Sequence, residues 1–376
     1  MIYIHVPFCH RKCTYCAFFS KPVAGSQWSV ASYVDALIEE MRLRRGEQGH
    51  SIRTIYFGGG TPSILPLSEL ERIIRALHEC FDLSKVEEVS LEGNPEDLTP
   101  EYLRGLLSLG FNRLSIGIQS LDDGMLRLIG RRHTAAQAIT AVENAHAVGF
   151  SNLSVDFIYG LPVNFQFSIF NLQLVSHVSA YALTVEEGTA LAVQVGQGRV
   201  VLPDEEEVVR QYFALRQQLV EAGFLQYEVS NYARLGFESK HNSRYWDRTP
   251  YLGLGPSAHS FDGRCRRWNV SDVEVYSNGF KDLKDFKDLK DPRDFKGLFQ
   301  QEILTEDDAY NELLMTALRT TRGLALAQVP EKYKEKLHRG MQPYLDCGWI
   351  VLKDNHFMPT DEGLLHADGM AAALFV

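Results

Sequence analysis

The sequence predicts an α/β fold, an incomplete barrel of six β/α units with a smaller, mainly helical C-terminal domain. Three observations lead there. Short apolar runs bounded by turn residues alternate with stretches of helical period, six times in succession. Strands alternating with helices give a parallel sheet with right-handed crossovers, and six such units suit a partial barrel better than a flat doubly wound sheet. The chain is 376 residues long, which accommodates a barrel and an appendage.

The strand-like runs lie at 2–5, 54–57, 89–92, 113–119, 153–157 and 180–185. Helical patterns lie at 30–45, 67–81, 100–109, 135–148 and 165–177, several opening on Ser, Thr or Asp, which accept from the free amides of a first turn. Residues 204–223 read as a further helix and 226–229 as a short strand, before a Gly- and Tyr-rich stretch through 261. From about 302 a mainly helical pattern resumes, with amphipathic helices and a strand in a winged-helix-like arrangement. The expected boundaries are 1–230 for the barrel, 231–300 for a linking region and 301–376 for the C-terminal domain. Within the linking region, 280–298 reads FKDLKDFKDLKDPRDFKGL. Its period of three fits neither helix nor strand and marks a duplicated, charged surface insertion.

Composition narrows the function. Apolar residues make up 45% and charged residues 23%, as in ordinary globular proteins, so global disorder is excluded. A formal net charge of -10 without a basic stripe argues against nucleic-acid binding. The N-terminus lacks the basic and long apolar regions of a signal peptide, and no uninterrupted apolar run approaches membrane-spanning length. A cytoplasmic protein is expected, with peripheral membrane contact left open.

Three of the six cysteines, Cys9, Cys13 and Cys16, fall within eight residues directly after the first strand; Cys80, Cys265 and Cys347 are scattered. The scattered ones read as small buried hydrophobes, the cluster as a metal site. Thiolates suit zinc or an iron-sulfur cluster. Zinc would want a fourth ligand, for which His5 and His10 are candidates, whereas three thiolates on a four-iron cluster leave one iron open to a small molecule.

The run IHVPFCHRKCTYCAF resembles the cluster loop of radical S-adenosylmethionine (SAM) proteins related to oxygen-independent coproporphyrinogen III oxidase, and most resembles their heme-chaperone branch. The resemblance implies a [4Fe-4S] cluster on Cys9, Cys13 and Cys16, with the amino and carboxylate groups of SAM on the open iron. In that family, reduction of the cluster cleaves the sulfonium to methionine and a 5'-deoxyadenosyl radical, while the protein positions the cofactor.

Ligands of such barrels gather at the C-terminal tips of the strands. After the second strand, Gly58-Gly59-Gly60-Thr61-Pro62 lets backbone approach a ligand closely and matches the family's GGGTP motif. By motif match, Tyr3, Gly59, Gly60, Thr61, Glu92, Gln119, Arg131 and Asp156 fall where SAM contacts lie, and Tyr15 occupies a position beside the cluster often given to an aromatic. Carboxylates there would accept from ribose hydroxyls or the ammonium, and Arg131 would reach a carboxylate.

Two features bear on chemistry. Where the oxidase carries a fourth cysteine, two residues after the third, this chain has Phe18, and it starts eight residues before Cys9. His241-Asn242-Ser243-Arg244-Tyr245-Trp246 matches the HNxxYW motif of the chaperone branch. The resemblance thus implies heme binding and transfer to an acceptor protein, with decarboxylation of coproporphyrinogen III as the alternative; whether the chain is an enzyme stays open. His241 is a candidate axial heme ligand, with Tyr245 and Trp246 as a flat wall; equally, these aromatics could close the barrel against the C-terminal domain.

Overall fold

The computed structural model describes residues 1–23, 29–47, 51–162, 171–282 and 297–376. Six parallel strands follow one another across one sheet: β1 (Ile2–Val6), β2 (Thr54–Gly59), β3 (Glu88–Gly93), β4 (Arg113–Gln119), β5 (Asn152–Tyr159) and β6 (His177–Ala182). Helices α1 (Val30–Leu43), α2 (Leu67–Cys80), α3 (Pro100–Ser108) and α4 (Ala135–Val148) occupy the first four connections. Strand order equal to chain order is what successive right-handed crossovers produce. Side chains of Ser29, Thr99 and Thr134 accept from the first-turn amides of α1, α3 and α4, and Thr134 forms a reciprocal capping box with Gln137.

The fifth connection differs from expectation. Residues 163–170, half of the helix expected at 165–177, lie outside the described residues; Leu172–Leu174 form one 3-10 turn, and β6 starts at His177 rather than at 180. The polar His177 and Ser179 disguise the start of that strand because they belong to its inward face.

That inward face is the main feature of the barrel. On β2 to β6, alternate residues such as Tyr56, Glu92, Ser115, Asp156 and Ser179 line a narrow polar cavity, while Phe57, Leu91, Ile116, Val155 and Ala180 point the other way into the buried core under the helices. Two residues per pleat thus sort one strand into a wet lumen and a dry shell. Each buried Leu, Ile or Phe of the shell contributes about 1.5–3 kcal/mol.

The sheet stays open. The parallel strand Leu252–Leu254 flanks β1, and the antiparallel strands Asn231–Ala233 and Leu225–Gln226 extend beyond β6. A boundary at 230 therefore falls inside the sheet. Other residues of the linking region also belong to the barrel: Tyr276, Phe280 and Leu298 sit in its core cluster. Buried Glu40 on α1 receives Arg44, Asn269, the Tyr276 hydroxyl and the Gly255 amide, so the ion pair Glu40–Arg44 is fully hydrogen-bonded. The charged repeat at 283–296 lies outside the described residues.

Helix α5 (Glu205–Glu221) matches the expected segment, and α6 (Lys240–Trp246) carries the HNxxYW motif. The C-terminal part has its own core around Tyr310, Leu314, Leu337, Met341 and Phe357. It combines helices Glu306–Ala317 and Glu331–Asp346 with an antiparallel sheet in the order Leu324–Ala325, His356–Pro359, Ile350–Lys353.

Candidate functional site

The cysteine loop leaves β1 and is held over the barrel mouth by chain far downstream. The Thr14 amide donates to Ile129 O (3.0 Å), its hydroxyl to Leu128 O (3.0 Å), and its carbonyl accepts from Leu191 N (2.8 Å). Gly130 (φ +79°) passes so near that a Cβ would come within 3.2 Å of Thr14 N. Tyr15 packs against the buried Ile129, Ile158 and Leu161.

Cys9, Cys13 and Cys16 are unpaired and half-buried. Among the described residues no three His, Cys, Asp or Glu converge on a single ion. The candidate fourth zinc ligands are also engaged. His5 Nε2 donates to Phe19 O (2.9 Å) and Nδ1 accepts from Tyr3 Oη (3.1 Å), and burial, against the Phe19 hydrogen bond, pushes its pKa down to about 4. His10 Nε2 lies 3.3 Å from Asp97.

The GGG segment meets the loop from below. A Cβ on Gly60 would fall 2.5 Å from Phe8 O, and one on Gly59 (φ +111°) 2.7 Å from the His5 ring, so backbone alone fits here. The Thr61 hydroxyl donates to Cys9 Sγ (3.4 Å). The Tyr56 hydroxyl donates to Glu92 (2.7 Å), whose second oxygen accepts from Gly59 N (3.2 Å).

Arg131 ties the strand tips to the loop. Its Nη2 donates to Asn94 Oδ1 and to Gly117 O (both 2.6 Å), Nη1 lies 3.6 Å from Cys13 Sγ, and Nε is buried without a partner among the described residues. Gln119 carries φ +68° at a register shift where β4 meets β5, a conformation a non-glycine residue adopts at a cost of order 1–3 kcal/mol. Asn94, absent from the expected contacts, proves central: it accepts from Arg131 and donates to Thr61 (3.4 Å).

Deeper in the lumen, burial pushes Glu92 up to about 7, with Asp156 reinforcing this and the bonds from Tyr56 and Gly59 opposing it. Burial likewise raises Asp156 to about 6 against the hydroxyls of Ser179 and Ser115, the latter at 3.1 Å. Two carboxyls poised near neutrality inside a low-dielectric mouth favour a ligand that brings positive charge.

The structure thus brings Tyr3, Tyr15, Gly59, Gly60, Thr61, Glu92, Gln119, Arg131 and Asp156 to the mouth or the lumen below it. His241, Tyr245 and Trp246 go to the opposite end. The Lys240 and His241 amides donate to Glu88 at the start of β3 (3.0 and 2.9 Å), which plants α6 across the barrel floor. His241 is fully buried, with Nδ1 bonded to Thr54 Oγ1 (2.9 Å), Nε2 to Tyr245 Oη (3.1 Å) and its ring stacked on Tyr56. Burial, aided by the N-terminal ammonium and Arg244, pushes its pKa down to about 3. Both ring nitrogens of His241 thus have hydrogen-bond partners within the floor. Tyr245 is half-buried and packs edge-to-face on His241 and Tyr251. Trp246 faces outward, beside the C-terminal unit.

Known proteins show the same composition of parts. Residues 3–166 match the model of the Radical SAM superfamily and 304–366 that of the HemN C-terminal domain. "Heme chaperone HemW" of Bacillus subtilis (strain 168) is 35% identical over 384 residues, covering 99% of this chain and 94% of that protein. "Heme chaperone HemW" of Lactococcus lactis subsp. lactis is 33% identical over 345 residues, covering 89% and 86%. In fold, the chain is similar to coproporphyrinogen III oxidase (HemN) from Escherichia coli, with a TM-score of 0.82, 22% identity, and coverage of 100% of this chain and 89% of that one. The cysteine loop over a polar barrel mouth and these near full-length relatives agree: the chain belongs to the radical SAM superfamily, in the family whose members include the proteins named heme chaperone HemW.

Proposed function

We propose that this protein is a heme chaperone that carries a SAM-ligated [4Fe-4S] cluster and hands heme to an acceptor protein. One observation supports it above others: relatives named heme chaperone align with nearly the whole chain, through the cysteine loop and the C-terminal unit alike.

The residues at the mouth fit the cofactors. Three unpaired thiols stand on a loop pinned in place, and beside them Arg131 Nε is buried without a partner among the described residues. Cys9, Cys13 and Cys16 would hold the cluster, which, when bound, supplies an electron to the SAM sulfonium. Arg131 would take the SAM carboxylate with its unpaired Nε, and Glu92 the ammonium or ribose hydroxyls. The GGG backbone would admit the ligand where any side chain collides, and Tyr15 with its apolar neighbours would exclude water on the far side. Free thiols throughout the chain suit a reducing cytosol.

Anaerobic reconstitution with iron and sulfide tests the first half. Four irons per chain with broad iron-sulfur absorbance are expected, and stoichiometric zinc without iron would overturn the cluster. The second half is tested by hemin binding and by transfer to an apo heme protein. Conversion of coproporphyrinogen III to protoporphyrinogen, with SAM and a reductant, would move the assignment to the decarboxylase.

A further inference from the structure

The outer side of the floor holds a second site. A cavity of 320 Å³ lies between α6 and the C-terminal unit, lined among others by Trp246, Asp247, Arg248, Arg322 and His356. That volume lies at the lower end of the ~300–1,000 Å³ common for small-molecule sites, enough for one edge of a macrocycle with the rest left outside.

The polar groups around it are incompletely satisfied. Trp246 Nε1 and Arg248 Nε are buried without a hydrogen-bond partner among the described residues. Two buried donors without a partner at one cavity are placed to meet an acceptor that enters it. His356 Nδ1 donates to Asp354 O (2.9 Å), which fixes the tautomer and leaves Nε2 as a lone-pair nitrogen with no hydrogen bond among the described residues. A carbonyl on one ring nitrogen is the arrangement that orients an imidazole toward iron on the other.

The charge is also short of anions. Glu312 is shared by Arg266 (2.6 Å) and Arg248 (3.5 Å), while Arg322 pairs with the exposed Asp247 (2.6 Å). Among the described residues of the cavity lining itself, Arg248 and Arg322 stand against Asp247 alone. Burial, opposed by Glu312 and helped by the neighbouring Arg266, pulls Arg248 below its ordinary pKa.

We propose that this cavity holds the propionate-bearing edge of a heme, with His356 Nε2 as an axial ligand of its iron and Arg248, Arg322 and Trp246 Nε1 as donors to the propionates. The inference rests on the heme-chaperone reading and assigns that function a place. It also suits release: a macrocycle gripped by one edge in an open cleft exposes the other edge to an acceptor.

Hemin titration of the full-length, cluster-reconstituted protein, followed at the Soret band, tests this. His356→Ala is expected to shift the Soret band and weaken binding by about tenfold or more, with added imidazole restoring the band. Arg322→Glu, at an exposed position that the fold does not need, is expected to weaken hemin binding several-fold and to leave the binding of hemin dimethyl ester, whose propionates are blocked, unchanged. An unaltered band and affinity in His356→Ala would overturn the axial ligand, and equal affinity of Arg322→Glu for hemin would overturn the propionate contact. If the wild-type protein binds no hemin at all, the chaperone reading fails instead.

Discussion

The two ends of the barrel are built from the same residue types and are finished differently. On the floor the main struts are paired: Glu88 takes two amides, His241 bridges Thr54 and Tyr245, and buried His177 bridges Ser154 (2.7 Å) and Tyr227 (2.8 Å), while Arg244 Nε and Trp246 Nε1 of α6 find no partner among the described residues. At the mouth Arg131 keeps an unpaired nitrogen, Gln119 sits at positive φ, and Glu92 is held near neutrality. Satisfied polar groups hold a shape, and unsatisfied ones wait for a ligand. HNxxYW is itself divided: His241 and Tyr245 bond to each other within the floor, while Trp246 lines the cavity beside the C-terminal unit.

The contrast can be broken at either end. Cys13→Ser should abolish the iron-sulfur absorbance altogether while circular dichroism stays native, since the loop is half-buried and held by backbone bonds to Thr14. Cluster retained at full occupancy in that variant would remove the mouth from the comparison. His241→Ala should do the reverse. It leaves Thr54 and Tyr245 without a partner, costing about 2–4 kcal/mol in denaturant unfolding, yet the folded fraction should still take up cluster and hemin. Loss of the Soret band in a folded H241A protein would return the histidine to heme ligation.

Arg131→Met should weaken SAM binding to the reconstituted protein by about 1.5–3 kcal/mol, the worth of a charge-assisted hydrogen bond, as measured by equilibrium dialysis; unaltered affinity would leave the unpaired nitrogen without a purpose. The smallest effect concerns pH. Glu92 titrates near 7, and a cationic ligand prefers its ionised form, so SAM affinity should be full at pH 8 and fall roughly tenfold by pH 6. Glu92→Gln should bind more weakly but without that slope.

Much of this was readable beforehand. The strand-helix alternation gave five strands close to their places, because apolar shell residues dominate each run. The sixth shifted by three residues, since His177 and Ser179 turn into the lumen and break the apolar pattern. Tyr3, Glu92, Arg131 and Asp156 were expected at one end of the barrel from motif matches and strand-tip position. Asn94 was not, because its importance arises from a bond to an arginine 37 residues away. Part of the linking region joins the sheet for a similar reason: Leu252–Leu254 completes the sheet beside β1, a pairing that no local pattern announces.

That same distance sets an order of assembly. The bonds that fix the cysteine loop come from Leu128, Ile129 and Leu191, all far downstream of it, and the strand beside β1 comes later still. Contacts so far apart in sequence form late. A nascent chain thus presents its three thiols long before the pocket around them exists, and metal loading belongs to the finished barrel.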